Sequence, residues 1–114
     1  YRARLGNGSD VATHLRPAHT HSTRMKGLLG TKDLPAGHGL WIRPCNQVHM
    51  YCMRYPIDLV FIDADHRVVR LIENQPVSSI SPKVREAHSV LELPVGAIRS
   101  SGVREGDVLA ITPA

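Results

Sequence analysis

Pro56-Ile57-Asp58-Leu59-Val60-Phe61-Ile62-Asp63, then Ala64-Asp65-His66-Arg67, then Val68-Val69-Arg70-Leu71-Ile72, is the stretch that decides the fold. Residues 57–63 are nearly all apolar, the pattern of a strand covered on both faces rather than one with a wet side. Asp63-Ala64-Asp65-His66 is turn-forming, so residues 68–72 read as the hairpin partner. One residue is out of place. Asp58 interrupts the apolar run on the face of Val60 and Ile62, and a buried carboxylate must be paired or hydrogen-bonded.

Upstream of the hairpin the side-chain period is two. Residues 39–43 and 48–53 are expected to be strands, with Pro44 and Pro56 as their breaks. Residues 2–15 read as two short strands around the turn Gly6-Asn7-Gly8-Ser9-Asp10, a unit ended by Pro17. Thr20 then caps a short helix to about Leu29, with Met25, Leu28 and Leu29 on one face and Gly30 as terminator. Gly27 inside that helix is costly and points to close packing against a neighbour. Downstream, residues 76–82 form a Ser/Pro loop and residues 90–93 a strand. Residues 97–101 form a single helical turn ended by Gly102, and Glu105-Gly106-Asp107 turns the chain into a last strand, 108–112. About seven short strands and one short helix predict one mainly β domain over residues 1–114, sandwich-like or a partly closed barrel.

Composition sets the outer limits. With 114 residues, 42% hydrophobic and 21% charged, the chain has the make-up of one ordinary globular domain. It is neither a coiled coil, a disulfide scaffold nor a collagen, and no apolar run is long enough to span a bilayer. The net charge is +4, but the basic residues are dispersed and no aromatics are interleaved with them, so no nucleic-acid partner is expected. Cys45 and Cys52 fall on opposite faces if the segment is extended, which argues against a disulfide. Reduced thiols and a cytoplasmic location are the expectation, with room for an exported leader upstream of Tyr1.

The order of motifs resembles the bacterial and archaeal domain of unknown function number 192. Ala18-x-Thr20-x-x-x-Arg24-x-x-Gly27-Leu28-Leu29 is similar to that family's opening helix motif. Gly39-Leu40-Trp41-Ile42, then Pro44-Cys45-x-x-Val48-His49-x-x-x-Met53-Arg54, is similar to its middle. Residues 56–63 resemble the strand that follows. Val90-Leu91-Glu92-Leu93-Pro94-x-Gly96 and Gly102-Val103-x-x-Gly106-Asp107 resemble its end. The match covers roughly residues 11–112. The chain departs from the pattern at Ala97, where a polar residue is frequent, and at Asp65-His66-Arg67, which lacks an Asp-Gly pair. The resemblance implies a compact, mainly β, sandwich-type domain and no established reaction.

The chemistry-bearing residues crowd into residues 41–61: Trp41, Tyr51, Tyr55 and Phe61, both cysteines, Met50 and Met53. Cys45, His49 and Met53 have the spacing C-x3-H-x3-M, a soft ligand set of the type 1 copper kind. Against that stand the missing second histidine and the ordinary use of Met and Cys as core fillers. Cys45 and His49 could form a thiolate–imidazolium pair, yet on one strand they would lie about 13 Å apart. Trp41 and Tyr51 share parity with Cys45, His49 and Met53, so one face could present rings, an imidazole and a thioether together, either as core or as a ligand surface. Arg24 and Arg54 are the candidate partners of Asp58, either pinning helix to sheet or lining a polar pocket floor with one arginine left to bind an anion.

Glu92 reads as a solvated or loop-bonding carboxylate. His14, His19 and His21 lack acidic or thiol company and are weak metal evidence. The residues together point to a non-enzymatic ligand-binding or accessory module, with no cofactor and with a small molecule, sugar or peptide as partner. Its surface would comprise Arg24, Trp41, Cys45, His49, Tyr51, Met53, Arg54 and Asp58. The alternatives are a small hydrolase using His49 with Asp58 or Cys45, and a soft-metal protein using Cys45, His49 and Met53.

Overall fold

The computed structural model describes residues 1–19, 33–51 and 53–114. Along the described chain run β1 (Arg2–Arg4), β2 (Asp10–Ala12), β3 (His14–Ala18), β4 (His38–Ile42), β5 (Ile57–Ile62), β6 (Val68–Gln75), β7 (Ser89–Leu93), a short helix α1 (Ala97–Ser101) and β8 (Ala110–Thr112). They form a three-stranded sheet, β2-β1-β8, and a five-stranded sheet, β3-β4-β7-β5-β6. The two sheets make an open sandwich, not a closed barrel. Among the described residues no helix is long and apolar enough to cross a membrane.

The hairpin forms as its sequence predicts, with Val60 opposite Leu71 and Phe61 opposite Arg70. On its other side β5 pairs with β7, so all six of its residues are buried. Alternation then divides the five-stranded sheet into two faces. One carries Leu15, Trp41, Val60, Ile62, Leu91 and Leu93, packed on Ala3, Val11 and Ala12 of the small sheet and on Ile98 and Leu109. The second carries Ala18, Leu40, Ile42, Ile57, Leu59, Phe61 and Val90, packed under Val48, Met50 and Val84.

Strands β3 and β4 are parallel neighbours, a pairing that a tight hairpin cannot make. Pro17 does not end the N-terminal unit. It lies inside β3, which is tolerated because β3 is an edge strand and its missing N–H leaves no interior ladder bond unmade. The helix expected from Thr20 to Leu29, with Arg24, lies outside the described residues, as does Cys52. Gly39 on β4 is required by close packing: a Cβ there would lie 2.7 Å from Leu93 Cδ2 and 2.8 Å from the Glu92 carbonyl oxygen.

Among the described residues of 48–53 the expected strand is replaced by a single bridge joining His49 to Ile80. The reason lies in its neighbour. The segment pairs with residues 76–88, where Pro76 and Pro82 have no N–H to donate and Ser78 has φ 56°, so no regular ladder can propagate. Two connections therefore cross the second face as loops. The shared-parity argument that placed Trp41 beside His49 and Tyr51 fails with the strand.

Candidate functional site

The two crossing connections are held together by their backbones. Val84 N–H donates to the Asn46 carbonyl (2.8 Å), Ser81 N–H to Val48 (2.8 Å), Met50 N–H to Ser79 (2.7 Å) and Ser78 N–H to Met50 (3.1 Å). Ser81 Oγ accepts the Val48 N–H at 2.9 Å, and Gln47 Nε2 donates to the Ser81 carbonyl at 3.1 Å. Val48 and Met50 are buried in the second core. His49 and Tyr51, which alternate with them, are turned toward the outside.

That outward surface is apolar and ringed. Tyr51 is 52% exposed, Ile80 52% and Val77 40%, although these residue types normally gain from burial. The rings of His49 and Tyr51 lie 5.4 Å apart at a 35° tilt. His49 is half-buried, and its Nδ1 is shielded from solvent. Met53 is half-buried against the second core, and Met53 N–H closes a turn on the Met50 carbonyl at 3.3 Å. Arg54 follows it, exposed. At the opposite end of the same connection, the Cys45 thiol donates to the Gln47 carbonyl at 3.2 Å.

The remaining predicted residues lie elsewhere. Trp41 is 4% exposed and belongs to the first core. Its indole N–H donates to Ser89 Oγ at 2.9 Å, the Arg43 guanidinium sits 3.9 Å above the ring, and Tyr1 and His66 meet it edge-on at 5.5 Å each. Asp58 is fully buried, on the same face as Trp41. Its Oδ1 accepts the Asn74 N–H at 2.9 Å, and its Oδ2 accepts Gly96 N–H and Ile98 N–H at 3.1 Å each. The expected Arg54–Asp58 pair is replaced by three backbone donors, two of which, Gly96 and Ile98, lie at the N-terminal turn of α1. The sheet lies between Asp58 and His49, so the His49–Asp58 form of the hydrolase reading is not assembled.

Glu92, read as a solvated or loop-bonding carboxylate, is not solvated: it is fully buried on β7, on the second face between Leu40 and Leu59, its ladder neighbours. Its only signal was its shared parity with Val90 in a strand whose two faces are both covered.

A family model described as DUF192, Uncharacterized ACR, matches residues 3–111. The UPF0127 protein of Thermococcus kodakarensis is 32% identical over 102 residues, 84% of this chain and 63% of that protein. A UPF0127 protein of Thermococcus gammatolerans is 31% identical over 103 residues, 85% of this chain and 65% of that protein. The chain thus spans less than two thirds of the length of these relatives. Among solved structures, a protein of Sinorhizobium meliloti 1021, provisionally named a transcription regulator, superposes with TM-score 0.77 at 28% identity, over 96% of this chain and 89% of that one. A protein of unknown function from Novosphingobium aromaticivorans has TM-score 0.78 at 21% identity, over 96% and 82%.

Proposed function

The chain belongs to the DUF192 family, and from that premise we propose that it is a binding module whose ligand surface is the outer side of the paired connections 44–55 and 76–88. The observation that carries this reading is the exposure of Tyr51, Ile80 and Val77 on these connections, with the Tyr51 ring 5.4 Å from that of half-buried His49 and His49 bridged to Ile80, on loops whose backbones are tied together. Exposed apolar surface on a held framework is what a recognition site needs, because little ordering entropy remains to be lost on binding.

Tyr51 supplies a flat ring for stacking, His49 an imidazole, and Arg54 an exposed cation at the rim. Such a set suits a sugar ring or a peptide carrying an apolar side chain and an acidic group. Trp41 and Asp58 serve the fold rather than the ligand in this reading. The module works by binding, with no bond made or broken. A thermal-shift screen of the purified chain against oligosaccharides, peptides, nucleotides and duplex DNA tests it. A hit should raise the Tm by a few degrees at saturation, and Tyr51→Ala or Arg54→Ala should weaken that hit. The duplex arm addresses the provisional name of the Sinorhizobium neighbour.

A further inference from the structure

His14 and His38 stand opposite each other on the parallel strands β3 and β4, as do Arg16 and Leu40 two residues further along the same face. Ala18, Leu40 and Ile42 carry that face into the second core, but at its near end His14, Arg16 and His38 are exposed. The two imidazoles stack, with centroids 4.6 Å apart and planes within 7°. They line a cavity of about 540 Å³. Its remaining charged and titratable lining, among the described residues, comes from Tyr1, Arg16, Asp33 and Ala114.

Stacked rings hold their edges parallel. Parallel N–H groups cannot converge on one atom, but they can reach two oxygens of one tetrahedral oxyanion. Protonation supplies the donors. An imidazolium donates from both nitrogens, so no choice of tautomer enters. His14 then gives Nδ1–H to Thr13 Oγ, 2.9 Å away, and keeps Nε2–H for a ligand. Charge decides when the site opens. Arg16 and Asp33 carry opposite charges, so at neutral pH this lining offers an anion little net attraction. Imidazole protonation, ordinarily centred at about pH 6.5, tips it positive. Two imidazolium ions this close repel each other, and a dianion across their edges offsets that repulsion.

We infer that the His14–His38 pair is a proton-gated site for the head group of a small phosphate ester, filling in mild acid and emptying above neutrality. The cavity is larger than a bare tetrahedral ion needs, and Leu34 and Leu40 give it apolar wall for the organic part of an ester. Binding and protonation are reciprocal: protons that favour the anion are drawn in by the anion to the same degree. The site shares no residue with the ligand surface on the paired connections, so the two stand or fall separately.

Sulfate titration of the whole chain at constant ionic strength, followed by amide chemical shifts, tests the assignment. Sulfate keeps its charge across the range, so any pH dependence belongs to the protein. The expected result is saturable shifts centred on residues 13–16 and 37–40, with affinity about tenfold weaker at about pH 7.5 than at about pH 5.5, and proton uptake on binding. Phenyl phosphate should bind several-fold more tightly than sulfate at about pH 6.5, because its ring meets the apolar wall. The double variant His14→Gln, His38→Gln cannot take the charge and should lose the pH dependence, while the wild-type map decides without any variant. Absence of saturable shifts at the lower pH overturns the inference. So do shifts centred on another surface, affinity that does not change with pH, or pH dependence that survives in the double variant. Sulfate binding as tightly as phenyl phosphate overturns the ester assignment.

Discussion

The Asp58 carboxylate accepts the backbone N–H of Ile98 at 3.1 Å across 40 residues of sequence. This bond ties an interior strand to the first turn of α1, a helix of five residues too short to stand alone. The same carboxylate also takes the Asn74 amide, where φ is 57° and the β5–β6 register shifts. One buried side chain thereby satisfies backbone donors that the helix end and the bulge would otherwise leave unmet.

Asp58→Ala should leave the buried Ile98 N–H and the part-buried Asn74 and Gly96 N–H groups without their acceptor and cost about 3 kcal/mol, a fall in Tm of roughly 10 °C. Asp58→Asn keeps one carbonyl acceptor and should cost less. Urea denaturation checks the order of the two, with unchanged m as evidence that the native fold persists.

Ser89→Ala removes the acceptor of the Trp41 indole N–H at a site where both residues are buried. The expected loss is about 1–3 kcal/mol. Trp41 is the sole tryptophan, so its own fluorescence follows the unfolding.

Gly39→Ala places a methyl group 2.7 Å from Leu93 Cδ2 and 2.8 Å from the Glu92 carbonyl oxygen. Leu93 can shift, but the backbone oxygen of an interior strand cannot shift far without disturbing the β4–β7 ladder. Destabilisation of about 1–3 kcal/mol is expected from the thermal midpoint.

Asp10 links stability to acid pH. A hydrogen bond from Arg2, with a further contribution from Arg4, holds its carboxyl below the ordinary 3.8, over contacts of 2.9 and 3.3 Å. A lowered folded-state value means that the stabilisation is present above the ordinary value and is lost as pH falls through the lowered one. Asp10→Asn should therefore trail the wild type near neutrality and meet it in strong acid. The gap should be small and should shrink in high salt, because the groups are exposed. Thermal midpoints across the acid range, at low and high salt, measure it.

Much of the fold was legible because residues 57–72 carry a nearly all-apolar run, a turn and a return strand, signals that need no tertiary context. The helical turn ended by Gly102 was legible for the same reason, since φ 75° at its C-cap favours glycine. The site was only partly legible. Val48-His49-Met50-Tyr51 alternates like a strand, and what prevents a strand is the pair of prolines in a partner segment some thirty residues later. The parity that grouped Trp41 with Tyr51 did not survive the change of direction after Ile42. Asp58 was recognised as buried, but its partners are backbone amides, which no search for an arginine can find. Glu92 sits in a strand too short for alternation to reveal that both of its faces are covered.

The central claim is that ligands meet this domain on the outer side of residues 44–55 and 76–88. Amide chemical-shift mapping of the 15N-labelled chain tests it most directly, using any sugar or peptide that raises the Tm in the screen. The account predicts shifts concentrated at His49, Tyr51, Arg54, Val77 and Ile80, and their loss in Tyr51→Ala and Arg54→Ala. Shifts concentrated on another surface, or binding unchanged in both variants, would contradict it.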